Sequence, residues 1–231
     1  MQIDWSKIKT VLLDMDGTLL DLHFDNYFWR THVPHVFAQK NGITQVNAIE
    51  KLTPLFEKHA GTLEWYCVDF WSDQLGFDIM TYKREITEKI AYRPNAQAFL
   101  QQCRAEVDDV RLITNAHRKV LNLKIEHTQI DQYFDSMHCS HELDHPKEQQ
   151  QFWHNLNKIS SFDPTTTLFL DDSEAVLESA DTFGIKHIYS IAKPDSQKER
   201  DTNSRFTMIE TFLKLETNTE QDKNSPIEKS D

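Results

Sequence analysis

Asp14 and Asp16 stand one residue apart in the stretch TVLLDMDGTLLD, and Gly17 and Thr18 follow at once. Two carboxylates held this close repel each other, so keeping both ionised calls for a cation beside them. Hard oxygen ligands that leave room for a substrate phosphate suit Mg²⁺. Gly17 allows a sharp turn and Thr18 offers a hydroxyl. Two more apolar runs end in polar pairs: DVRLITNA reaches Thr114-Asn115, and TLFLDDSEA reaches Asp171-Asp172. Between those runs Lys147 occupies a loop-to-helix entry in DHPKEQQ. A carboxylate can attack an anionic phosphate ester only if cations screen the repulsion. The three strand ends and the lysine are residues of a kind that phosphoryl transfer needs.

The elements that must position these groups follow from apolar patterning. Val11, Leu12 and Leu13 form the continuous run expected of a parallel strand buried on both faces. The carboxyl end of such a strand is where open α/β sheets bind ligands. From Arg93 onward helices and strands alternate: helix PNAQAFLQQCRAE, strand DVRLITNA, helix HRKVLNLKIEHT, a short strand near SMHCS, helix KEQQQFWHNLNKI, strand TLFLDD, helix EAVLESADTFG and strand IKHIYSI. That order predicts an α/β fold with a doubly wound, Rossmann-like parallel sheet, whose strand ends would gather positions 14, 114 and 171 on one edge. RFTMIETFLKL is predicted to be a closing amphipathic helix, and ETNTEQDKNSPIEKSD a disordered tail.

The stretch from Phe24 to Ile90 has a different character. FDNYFWRTHVPHVFAQKNG reads as a helix interrupted near Pro34 and stopped at Gly42, and NAIEKLTPLFEKHAG as a helix with Pro54 as a kink. TLEWYCVDFWSDQLG and FDIMTYKREITEKI continue the helical spacing. The expected division is a catalytic core over 1–20 and 91–215, an inserted helical cap domain over 21–90, and a tail over 216–231.

The chain has 231 residues and a net charge of −12, which disfavours nucleic-acid polymers and anionic membrane surfaces as partners. A small anionic substrate remains compatible if a local cation overcomes the general repulsion. Cys67, Cys103 and Cys139 are odd in number and widely spaced, which implies no disulfide framework. No apolar run approaches the roughly 20 residues of a membrane span, and MQIDWSKIKT lacks the apolar region of a signal peptide. A soluble cytoplasmic protein is expected; oligomeric state leaves no signature. His138, Cys139, His141 and His145 in HCSHELDH fit no standard zinc spacing and are expected to be part of a loop without metal. Glu174 could neighbour a metal or simply favour a helix N-terminus, and Arg118 is expected to face solvent.

Taken in order, VLLDMDGTL, LITNA, Lys147 and LFLDDSEA resemble the four motifs of the haloacid dehalogenase-like hydrolase superfamily, and the helical stretch lies where many members insert a cap. The resemblance implies that Asp14 is the nucleophile, taking the phosphoryl group as an aspartyl phosphate. It implies that Asp16 protonates the leaving oxygen and then activates water, its backbone carbonyl helping to hold Mg²⁺. Asp171 and Asp172 would supply the remaining protein oxygens, directly or through water. Thr114 and the adjacent Asn115 amide would bond phosphate oxygens, and Lys147 would neutralise nucleophile and phosphate.

LDLHFDNYFW and LEWYCVDFWSDQLGFDI further resemble the cap of bacterial purine-nucleotide 5′-nucleotidases, which act on GMP and IMP, and imply a purine nucleotide as the small-molecule phosphomonoester substrate. Phe24, Tyr27, Phe28, Trp29, Trp65 and Tyr66 could stack on a base, or could equally be the core of the cap. Asp25, Asn26 and Arg30 could read the base edge or the phosphate; Asp25 and Asn26 could equally cap a helix. A sugar-phosphate or phosphoglycolate phosphatase with the same core, and a non-catalytic nucleotide sensor, are the alternatives.

Overall fold

The computed structural model describes residues 3–199 and 204–212. Among them, strands β1 (Thr10–Leu13), β2 (Asp109–Thr114), β3 (Ser136–Cys139), β4 (Thr167–Asp171), β5 (His187–Ile191) and β6 (Thr207–Ile209) form one sheet in the order β3-β2-β1-β4-β5-β6. Every pairing is parallel. The order reverses beside β1, which opens a crevice at the carboxyl ends of β1 and β4.

Alternation along β1 explains why both faces are covered. Val11 and Leu13 pack into one apolar cluster with Phe99, Leu100 and Leu121, while Leu12 points the other way, into a cluster with Phe152, Trp153, Phe169 and Leu177. The first face is covered by α6 (Ala96–Glu106) and α7 (Arg118–Thr128), the second by α8 (Gln150–Ile159) and α9 (Glu174–Phe183). Burying a Leu side chain of this kind is worth about 1.5–3 kcal/mol, so β1 is anchored on both sides.

Between β1 and β2 the chain is helical: α1 (His23–Tyr27), α2 (Val33–Asn41), α3 (Gln45–His59), α4 (Val68–Leu75) and α5 (Ile79–Arg84). The interruption near Pro34 is a π-helical turn at Phe28–His32. Pro34 itself lies in the first turn of α2, where its missing N–H costs little. Pro54 lies inside α3, and Gly42 ends α2 with φ +64°. The helix expected through TLEWYCVDFWSDQLG is broken. Glu64–Tyr66 form a 3₁₀ turn, and Cys67 takes an extended backbone and accepts the N–H of Phe70 on its sulfur, starting α4 afresh. Trp71, 1% exposed, knots this region together, with its ring edge-on to Trp29, Phe56, Trp65 and Phe70 and its indole N–H donating to the Trp65 carbonyl at 2.8 Å.

One expectation is corrected. The segment predicted as a closing helix contains β6 instead, which pairs Thr207, Met208 and Ile209 with Tyr189, Ser190 and Ile191. The open edge of β5 satisfies the backbone groups of this short segment, and that outweighs a helical apolar pattern. The expected disordered tail lies outside the described residues. No described helix is long and apolar enough to cross a membrane.

Candidate active site

At the crevice, Asp14 directly follows the buried β1, and Thr114 and Asp171 are the last residues of β2 and β4. The Lys147 ammonium, 2% exposed, donates to Asp14 Oδ1 and Asp171 Oδ2, both at 2.6 Å, and to the Ile113 carbonyl at 3.3 Å. Its own N–H donates to Asn115 Oδ1 at 2.9 Å, so the second strand end fixes the lysine that serves the first and third. The Thr114 hydroxyl accepts the N–H of Ala116 at 3.0 Å and orders the turn. Burial pushes the Asp14 carboxyl up to about 6 against the pull of Lys147. Burial would lower the Lys147 ammonium, but Asp14 and Asp171 hold it above its ordinary value.

Asp14, Asp171 and Asp172 can each present an oxygen within 4.8 Å of the others. Asp14 Oδ2 is buried and has no hydrogen-bond partner. A glycine at 17 makes room for this cluster: with φ +87°, an added Cβ would sit 2.5 Å from Asp172 Oδ2. An orphaned carboxylate oxygen within an all-oxygen acidic cluster fits a hard divalent cation such as Mg²⁺. The Asp16 carboxylate lies outside that cluster and turns to Lys124 instead.

Lys124, on α7, joins Asp16 to the helices beyond β1. Its ammonium is 2.5 Å from Asp16 Oδ1 and 2.5 Å from Asp25 Oδ2, and Lys83 on α5 donates to Asp25 Oδ1 at 2.7 Å. The Lys83 ammonium also lies over the Phe28 ring, 4.3 Å from its centre. Burial pushes Asp16 up to about 6, with Lys124 opposing. At Asp25 the two ammonium groups outweigh burial and hold the carboxyl below its ordinary range.

A cavity of about 380 Å³ opens above the strand ends. Asp14, Asp16, Thr114, Asn115, Lys147, Asp171 and Asp172 line its floor, and Asp25, Asn26, Trp29, Arg30, Phe56, Trp65 and Tyr66 contribute from the helical insertion. The seven polar floor residues and Asp25, Asn26 and Arg30, expected from the sequence as catalytic, metal or substrate contacts, therefore line this one space. Asp25 is tied to its two lysines and Asn26 donates to Asp195 at 2.7 Å, while the Arg30 guanidinium is exposed. Phe24 and Phe28 are buried in the core and Tyr27 sits outside the lining with Lys89 over its ring, so of the proposed stacking residues only Trp29, Trp65 and Tyr66 face the cavity.

Sequence reasoning missed Lys124, Lys83, Phe56 and Glu148. Glu148 lines the cavity, accepting from Tyr66 at 2.6 Å and from Asn115 at 3.0 Å. Its position right after Lys147 was the available signal. The histidines and cysteine of HCSHELDH bring no metal group together among the described residues; His138 meets Ser136 and His145 meets Gln149. Arg118 pairs with Glu142 at the surface, and Glu174 accepts from Ser204 and the Arg205 N–H, away from the acidic cluster.

The sequence profile of the haloacid dehalogenase-like hydrolases matches residues 11–190. The GMP/IMP nucleotidase YrfG of Escherichia coli strain K12 is 42% identical over 215 residues, covering 93% of this chain and 97% of its own length. Among solved structures, a HAD phosphatase from Thermococcus onnurineus superposes with a TM-score of 0.73 at 18% identity, covering 89% of this chain and 95% of its own. The magnesium-bound HAD-hydrolase YfnB from Bacillus subtilis gives 0.60 at 16% identity, over 88% and 95%. With its acidic strand ends gathered by Lys147 and a profile match over most of its length, the chain belongs to the haloacid dehalogenase-like hydrolases.

Proposed function

We propose that the protein is a Mg²⁺-dependent phosphoric monoester hydrolase that converts purine nucleoside 5′-monophosphates, GMP and IMP, to nucleoside and phosphate. The observation that carries the reading is Asp14: Lys147 holds one of its oxygens, and the other is buried, unpartnered and part of the cavity floor. The purine nucleotide is supported by the 42% identity to the E. coli GMP/IMP nucleotidase and by the aromatic upper wall of the cavity.

In this reading Asp14 attacks phosphorus, the bond to the nucleoside 5′-oxygen breaks, and that oxygen takes a proton from Asp16. Water then attacks the aspartyl phosphate, its proton passing to Asp16, which releases phosphate and restores Asp14. With its carboxyl raised to about 6, Asp16 is suited to hold and release a proton near neutrality. Lys147 keeps Asp14 oriented and offsets charge on the phosphoryl oxygens, while the turn after Thr114 offers backbone N–H groups. Asp14, Asp171, Asp172 and the Asp16 carbonyl would hold Mg²⁺, whose chemistry when bound is neutralisation of the carboxylates and phosphate. Residues 21–90 act as the cap, closing over the substrate to exclude water and opening for release. Three free cysteines suit the reducing cytoplasm.

The test is phosphate release from IMP, GMP, AMP, a pyrimidine monophosphate and two sugar phosphates, with Mg²⁺ and with EDTA. GMP and IMP are expected to lead by kcat/KM, and EDTA to abolish turnover. Sugar phosphates leading the panel would overturn the substrate assignment. Tight nucleotide binding with no phosphate release would overturn the enzymatic one.

A further inference from the structure

Glu148 poses an electrostatic problem. The cavity must take a phosphate dianion, yet this carboxylate lines it directly after the lysine that neutralises the nucleophile. Glu148 does not pair with Lys147, whose ammonium is committed to Asp14, Asp171 and the Ile113 carbonyl. A negative group in this place weakens phosphate binding unless it contacts something else on the substrate.

The carboxylate is also fixed in direction. Tyr66 donates its hydroxyl to Oε1 at 2.6 Å and Asn115 its amide to Oε2 at 3.0 Å. Asn115 belongs to the phosphate end of the cavity, next to Thr114 and bonded to the Lys147 N–H. Tyr66 belongs to the aromatic end, next to Trp65. Glu148 thus bridges the two ends. Each of its oxygens accepts one of these bonds and has a second lone pair to offer. Two acceptors side by side match two donors side by side.

In a nucleoside 5′-monophosphate the sugar joins the phosphate to the base. Its vicinal hydroxyls are the first donors met on leaving the phosphoester. With the phosphate at Asp14 and the base against Trp29, Phe56 and Trp65, the sugar falls where Glu148 bridges the cavity. We propose that Glu148 is a specificity residue whose carboxylate accepts hydrogen bonds from the 2′- and 3′-hydroxyls of the substrate, so that the enzyme selects ribonucleotides over deoxyribonucleotides. This rests on the nucleotide reading given above. The selection follows from an acceptor left half used: a deoxy substrate leaves one carboxylate oxygen desolvated with its Tyr66 or Asn115 bond but short of its second donor.

The experiment measures kcat/KM for GMP, 2′-dGMP, 3′-dGMP and p-nitrophenyl phosphate with the wild-type holoenzyme, Glu148→Gln and Tyr66→Phe. The wild type is expected to prefer GMP over each deoxy nucleotide by about 10- to 100-fold, the range for a hydrogen bond to a charged group. In Glu148→Gln that ratio should fall toward about 3, and Tyr66→Phe, which frees the carboxylate to turn, should give a ratio between the two. A wild type that treats GMP and both deoxy nucleotides within about two-fold overturns the proposal while leaving the nucleotide reading intact. So does a Glu148→Gln variant that loses GMP and dGMP turnover by the same factor, because a purely structural role lowers both alike. Turnover of p-nitrophenyl phosphate with none of any nucleotide overturns the nucleotide reading and this proposal together.

Discussion

Replacing Lys124 by Met removes the one ammonium that Asp16 and Asp25 share. The side chains have similar length, so the cavity left behind is small and the effect is electrostatic. Taking one partner from a buried ion pair costs about 3–5 kcal/mol, because the carboxylates remain in place without their cation. Here Lys124 is 2% exposed, but Asp16 and Asp25 are 18% and 19% exposed toward the cavity, and Lys83 still serves Asp25. Water and Lys83 recover part of the loss, which puts the expected cost at the lower end, about 3 kcal/mol. For a chain of this size that corresponds to a fall in Tm of about 6–12 °C. The pH dependence has a definite sign. Asp16 has a raised folded-state pKa, so its ionised form costs stability above about pH 6, and the cost is relieved as pH falls through that value toward the unfolded pKa. Asp25 has a depressed one, so its contribution is present above the unfolded pKa and lost as pH falls. Without Lys124 both carboxyls move up, and the deficit of the variant relative to wild type shrinks between about pH 8 and about pH 5. Thermal unfolding followed by circular dichroism across that range is the assay. A Tm change below about 3 °C, or a deficit that grows on acidification, would refute the reasoning.

Other outcomes follow from the same geometry. Asp14→Asn should fold normally and lose turnover by at least about 10³-fold in phosphate release, because an amide cannot form the aspartyl phosphate. Gly17→Ala should destabilise by about 1–3 kcal/mol from its backbone alone, and should raise the Mg²⁺ concentration for half-maximal activity, since its methyl group would meet Asp172. Lys83→Met should destabilise more than Lys83→Met with Asp25→Asn, because the double variant removes one charge of each sign; chemical denaturation of both measures the difference.

What the sequence made legible was whatever local patterning determines. The run Val11–Leu13 identifies a doubly buried strand, and its end carries Asp14 to the ligand edge. The same holds for Thr114 and Asp171, which is why the polar floor of the cavity could be assembled from short stretches. Lys124 was not legible. In HRKVLNLKIEHT it looks like an ordinary surface lysine of an amphipathic helix, and its burial is imposed by carboxylates from residues 16 and 25, far away in the chain. Phe56 faces the cavity only because the helices fold around Trp71, a tertiary fact without a local signal. The short strand β6 was hidden for a similar reason: its pairing is decided by the open edge of β5 and not by its own composition.

The position of β1 in the sheet has a consequence for how the molecule comes into being. The strand that leads into Asp14 is translated before both of its neighbours, β2 and β4, which follow only after the whole helical insertion, β4 later still. Pairings of such long sequence separation form slowly and late. The helices of the insertion, held by the near-neighbour aromatic contacts around Trp71, can gather before β1 has either partner. Asp14 therefore has no complete acidic cluster to join until residue 171 has emerged, and a nascent chain halted before β4 would hold Asp14 and Lys147 without the Asp171 carboxylate that shares that lysine.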